Sequence, residues 1–145
     1  MTSAVLWTLP VPSTALLGSG VAFEIRVKRE LALHFAYEAQ DDSRREEAIV
    51  FQGVEAFKCT YYHARDASMR DAYDKLVDRG STPWLEEVRA NLKRNGDEPG
   101  GVLHLMINFD DGPAYEVVCR CFRAEEKTRV ESHGGPERKR APQPG

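Results

Sequence analysis

The chain has 145 residues, 41% hydrophobic and 30% charged, with a formal net charge of -3, which fits one soluble domain large enough to form a core without staples. Residues 1–122 carry 14 Lys+Arg and 19 Asp+Glu, a net of -5, while residues 123–145 carry 6 and 4, a net of +2; an acidic body argues against broad, phosphate-driven nucleic-acid binding, which needs a basic face. Three cysteines, none in the first 58 residues, make no disulfide framework, and with no basic residue before Arg26 and no apolar run near the roughly 20 residues of a membrane helix, they predict a reduced, cytoplasmic protein.

In chain order, Ala4 to Leu9 reads as a short strand anchored by Trp7, followed by a loop through Gly18-Ser19-Gly20. From Val21 to Glu38 the odd positions Phe23, Ile25, Val27, Leu31, Leu33, Phe35 and Tyr37 are apolar. Among the even positions are Glu24, Arg26, Lys28, His34 and Glu38. This period of two marks half-buried strand. A hairpin with loop Lys28-Arg29-Glu30 keeps that phase and gives strands of ordinary length. Gln40 to Glu47 reads as a charged loop, Ala48 to Phe51 as a short strand and Gln52-Gly53 as a turn or bulge. Val54 to His63 resumes as strand, with Phe57, Cys59 and Tyr61 on one face.

The period then changes to 3.6. Met69, Ala72, Tyr73, Leu76 and Val77 fall at i, i+3, i+4, i+7 and i+8, which predicts a helix capped by Asp66 and stopped at Gly80. A second helix is predicted at once. Thr82 caps it, Pro83 sits where its missing N–H does no harm, and Glu86-Glu87 lie near the positive dipole end. Leu85, Val88 and Leu92 form its apolar stripe.

The clearest signal is the hairpin between Val102 and Phe122. A three-residue loop, Asp110-Asp111-Gly112, sets Ile107 opposite Tyr115, Leu105 opposite Val117 and Leu103 opposite Cys119. That register gives one uniformly apolar face, and a slip of one residue would destroy it. The other face carries Met106, Val118 and Phe122 beside His104, Glu116 and Arg120. Residues 123–145 offer little to bury, with Val130 the single large aliphatic, and predict a disordered tail after a domain of residues 1–122. The predicted class is α+β: a mainly antiparallel sheet of hairpins with two consecutive helices packed on one face.

Candidate chemistry is sparse. Cys119 and Cys121 are two apart on a strand and Cys59 could lie near, but C-x-C on an apolar face fits buried thiols better than a zinc site. Asp110-Asp111 suits a hairpin turn better than a metal. Glu24 with His34, and His104 with Glu116, are possible acid–base pairs; neither sits beside an obvious Ser or Cys nucleophile. Tyr61-Tyr62-His63 with Tyr73 suggests a cleft or, more economically, core packing. Arg138-Lys139-Arg140 reads as a solvated tail. No catalytic residue, metal or cofactor is expected from these patterns.

Phe51-Gln52-Gly53-Val54-Glu55-Ala56 resembles the F-x-G-V strand turn of small bacterial α+β proteins with no assigned activity. Phe109-Asp110-Asp111-Gly112-Pro113-Ala114-Tyr115-Glu116 is similar to their closing hairpin. Some proteins of that size and build are immunity proteins, which bind and block a partner toxin. The resemblance spans residues 48–122, rests on turn chemistry and brings no catalytic residues with it.

The sequence therefore points to a binding protein, an immunity or inhibitor protein in its sharpest form. The alternative is a small enzyme or ligand-binding domain with a cleft between helices and sheet. The expected interaction surface is the outer hairpin face, Met106, Glu116, Val118 and Phe122, meeting a protein partner or a second copy of the chain. Glu24 and His34 are the alternative polar pair.

Overall fold

The closing hairpin forms in the register that its apolar alternation demands. In the computed structural model, which describes residues 4–18, 20–110 and 112–126, β7 (Leu103–Asn108) and β8 (Ala114–Cys119) pair antiparallel. Leu103 faces Cys119, Leu105 faces Val117 and Ile107 faces Tyr115. Three further strands complete this sheet: β1 (Ala4–Thr8), β5 (Ala56–Thr60) and β6 (Lys75–Asp78), in the order β1-β6-β7-β8-β5. A second sheet holds β2 (Ala22–Arg26), β3 (Glu30–Glu38), β4 (Arg44–Gln52) and β9 (Cys121–Glu126), in the order β2-β3-β4-β9.

The two sheets share one core. Leu105, Ile107, Tyr115, Val117 and Cys119 from the first meet Leu31, Leu33, Phe35, Ile49 and Phe51 from the second. This is a sandwich: each inner face supplies alternate residues of its strands. The chain changes sheets twice at one corner. From β4 to β5 it passes through Gly53, Val54 and Glu55; from β8 to β9 it passes through Arg120 alone. The Arg120 N–H donates to the Gln52 carbonyl at 3.0 Å, and the Glu55 N–H to the Val118 carbonyl at 2.8 Å.

The fold thus departs from the predicted α+β class. Among the described residues there is one α-helix, α1 (Pro83–Arg94), and two antiparallel sheets, in place of one sheet and two consecutive helices. The stretch predicted as the first helix divides into a 3-10 segment, Ala67–Ala72, and strand β6. The helical path ends at Tyr73, whose backbone is already extended, and Asp74, with φ of 57°, adopts the left-handed conformation before β6 begins. Leu76 and Val77 then point to opposite faces as strand residues do. Leu76 enters the core between the sheets, whereas Val77 packs with Ala72 and Met106 on the outside. Pairing with Trp7 and Val5 on one side, and of Val77 with Met106 on the other, outweighs the helical period.

Helix α1 matches its prediction. The Thr82 hydroxyl accepts the Leu85 N–H at 3.2 Å, and Leu85 and Leu92 are buried against Val102 and Val118. The first hairpin forms, with a different loop. Its register sets Ile25 opposite Leu31 and Ala22 opposite His34, leaving Val27, Lys28 and Arg29 to turn. Lys28 and Arg29 both have φ of 61° without glycine. The register differs from the expected one by two residues, so every side chain keeps its face. Strand β9 carries the chain through residues 123–126, paired with β4. The remainder of the predicted tail, including Arg138-Lys139-Arg140, lies outside the described residues.

Candidate functional site

The outer hairpin face is covered by the chain itself. Met106 is 1% exposed and Val118 0%. Helix α1 lies over Val118, and Met69 and Ala72 of the 3-10 segment pack with Met106. Phe122 sits on β9, in the other sheet, and packs at the core between the sheets. Both hairpin faces are buried within the same chain, so these residues do not form a common outer surface.

Glu116 and His104 lie under that cover as a hydrogen-bonded pair. His104 Nε2 is 2.8 Å from Glu116 Oε1, and His104 Nδ1 is 2.7 Å from the Thr82 hydroxyl. The two side chains are diagonal across β7 and β8, as the register requires. Trp84 stands edge-on to the imidazole, with 4.9 Å between ring centroids, and the Lys58 ammonium lies 4.4 Å over the Trp84 ring. Burying polar groups is tolerable only when each finds a partner. Here they join the first turn of α1 to the sheet. Thr82 supplies the hydroxyl next to a histidine that the sequence did not reveal, but that hydroxyl already caps the helix.

The other predicted pair is on the surface. Glu24 Oε1 accepts from Arg26 Nε at 3.0 Å and lies 2.6 Å from His34 Nε2. Glu24 faces Ala32 rather than His34, so the contact is diagonal. The hydrogen bonds from His34 and then Arg26 hold its carboxyl below the ordinary carboxylate range. An exposed cluster of this kind contributes little stability.

The thiols separate. Cys119 is buried in the core, where burial pushes its pKa up to about 12. Cys121 is exposed after the change of sheet at Arg120, and Cys59 is exposed on β5. Among the described residues no group of three or more His, Cys, Asp or Glu could hold a metal ion.

The aromatic residues after β5 behave differently from core. Tyr61, Tyr62 and Tyr73 are exposed. Tyr62 and Tyr73 line a cavity of about 470 Å3 with His63, Arg65, Asp66, Met69, Arg70 and Asn108. Two 3-10 turns, Tyr62–Ala64 and Ala67–Ala72, bend the chain around it. Asn108, 2% exposed, organises the floor. Its Oδ1 accepts from Arg65 Nη1 at 3.3 Å, and its amide nitrogen donates to the Met69 carbonyl. Arg65 Nη1 also donates to the Phe109 carbonyl at 3.1 Å, and the guanidinium lies 4.6 Å over the Tyr62 ring. Tyr73 donates to Asp110 Oδ1 at 3.1 Å, so that aspartate fixes one wall. Asp111 lies outside the described residues.

The lining of this cleft is two guanidinium groups and an imidazole against one carboxylate, Asp66. The Ser68 hydroxyl bonds Asp66 and holds its pKa below the ordinary range. Charge and planar faces thus converge in one concavity. The sequence reading named its tyrosines and His63 and missed Arg65, Arg70 and Asn108. An asparagine on the face shared with His104 and Met106 was the available signal, because a buried amide needs local partners.

Comparison with family models, curated proteins and solved structures gives no match. No helix among the described residues is long and apolar enough to cross a membrane.

Proposed function

We propose that the chain is a binding protein and that this cleft receives a side chain of a protein partner. One observation carries the reading: exposed tyrosine rings and two arginines share a single concavity of about 470 Å3. Arginine forks match a carboxylate in geometry and charge. Tyrosine adds contact area at low entropic cost, and both residue types are enriched where binding energy concentrates. The acidic body sets the scale of the target. Residues 1–122 carry a net of -5, which repels a strongly acidic partner surface at long range. A single Asp or Glu flanked by an aromatic or aliphatic side chain fits better.

An inhibitor or immunity role, with the cleft seating such a residue of a toxin, is one form of this reading. The competing enzyme reading would use Thr82, His104 and Glu116. Its histidine is 4% exposed and its glutamate 9%, so the group supports helix docking better than turnover.

The test is binding of the peptide acetyl-Phe-Glu-Phe-amide, followed by calorimetry or NMR. Arg70→Ala is predicted to weaken it by about tenfold, or about 1.4 kcal/mol, and replacement of Glu by Gln in the peptide to do the same. Equal affinity for the Glu and Gln peptides would refute the carboxylate reading.

A further inference from the structure

Strand β2 ends its sheet among the described residues, so one row of its peptide groups has no strand beside it. Such edges are templates for another strand. This edge is also apolar on the side that faces the core. Ile25 is 67% exposed and Val27 80%. Across from them, on the edge strand β5 of the other sheet, Phe57 is 42% exposed and touches Phe23, with 5.3 Å between ring centroids. Ile25, Leu31, Val54 and Phe57 line an open cavity of about 370 Å3 between the two edges.

We infer that this edge pairs with the same edge of a second copy of the chain, β2 against β2, antiparallel and centred on Ile25. The charge pattern selects that occupant and that register. A twofold pair centred on Ile25 sets Glu24 opposite Arg26 on both sides of the axis, and Phe23 opposite Val27. Centring on Glu24 would set Glu24 against itself, and centring on Arg26 would set Arg26 against itself. Unlike charges directly opposite are favourable in a sheet, and like charges are not. Intermediate registers place side chains on opposite faces and are not available to a twofold pair. Glu24 and Arg26 already form an ion pair within the chain at 3.0 Å, so pairing makes a four-residue alternating cluster. On the opposite face, Ile25 and Val27 of each copy gain apolar neighbours, which addresses their exposure.

The surface is separate from the cleft, so the two proposals fail separately. The test is mass by sedimentation equilibrium over a wide concentration range, on the full chain and on variants. The native chain is predicted to approach twice the 16.3 kDa of one copy. Ile25→Lys and, at the more exposed turn, Val27→Lys are each predicted to return it to one copy with an unchanged circular dichroism spectrum. Glu24→Arg alone and Arg26→Glu alone are predicted to do the same, because each sets like charges opposite. The double variant E24R/R26E is predicted to recover the dimer. A native chain that stays at one-copy mass at every concentration overturns the inference. So does a dimer that survives Ile25→Lys and both single reversals, and so does a double variant that remains monomeric.

Discussion

Gly53 and Arg120 meet where the chain changes sheets: a Cβ built on Gly53 would stand 3.0 Å from the Cβ of Arg120. Gly53 also has φ of 65°, a conformation that side chains with a Cβ resist. The Arg120 guanidinium reaches on to the carbonyls of Gly100 and Glu98, both at 2.8 Å, and lies 3.5 Å from Glu55. This corner therefore holds the β4-to-β5 and β8-to-β9 crossings and the loop that follows α1. Gly53→Ala is predicted to cost about 1–3 kcal/mol, through backbone strain and displacement of Arg120. Urea unfolding of the variant measures it, and an unchanged midpoint would show that the corner is not under that constraint.

Met106 is predicted to tolerate no charge. Met106→Lys places an ammonium beneath Met69 and Ala72, beside Val77, and the carboxylate across the strand pair, Glu116, is already bonded to His104, so the desolvation is only partly offset. The expected result is a loss of several kcal/mol, read as failure to fold or a collapse of the melting temperature. A folded, soluble variant with an unchanged melt would mean that this face opens to solvent.

The three thiols are predicted to react in two classes. Cys59 and Cys121 are exposed and Cys119 is buried. A chromogenic disulfide reagent at neutral pH is expected to label the two exposed thiols in native protein and the third only on unfolding. Burial raises the pKa of Cys59, so it is expected to react more slowly than a fully solvated thiol. Three equivalents labelled at once in the native state would contradict the placement of Cys119.

Stability is predicted to fall in alkali. Burial raises Cys119 from 9.0 to about 12 and Tyr115 from 10.0 to about 12. Burial, with the Glu47 carboxylate beside it, also takes Tyr37 to about 12. Each group binds its proton more tightly folded than unfolded. Its contribution is complete below the unfolded pKa and is lost as pH rises toward the folded one. The window therefore opens near 9.0 for Cys119 and near 10.0 for the tyrosines. Each pH unit across it removes up to about 1.4 kcal/mol per buried group. Cys119→Val is expected to flatten the early part of the decline, between about pH 9 and 10. An identical slope in that variant would exclude Cys119 as the source.

The elements that could be read from sequence were those whose evidence is local. Thr82-Pro83 announces α1 because a cap and a proline at the first turn serve a helix start. Leu103 to Cys121 announces its own register because only one alignment collects the apolar residues. The segment from Met69 to Val77 misled because its apolar spacing suits a helix, while its strand pairing depends on Val5, Trp7 and Met106 far along the chain. The outer hairpin face was legible as partly apolar, but its cover was not. The cleft was least legible. Arg65 and Asn108 are 43 residues apart and meet only after the sheet has formed. The tyrosines beside them look like core until the 3-10 turns carry them outward.

Carboxylate recognition in the cleft is read from the side-chain NMR signals of its arginines. Titration of acetyl-Phe-Glu-Phe-amide should shift the guanidinium resonances of Arg65 and Arg70 saturably, with the rings of Tyr62 and His63. The shifts should need about tenfold more peptide to saturate with the Gln peptide, and likewise in Arg70→Ala. Unsaturable shifts, or equal shifts at Arg26, Arg44 and Arg94 on other surfaces, would contradict the claim.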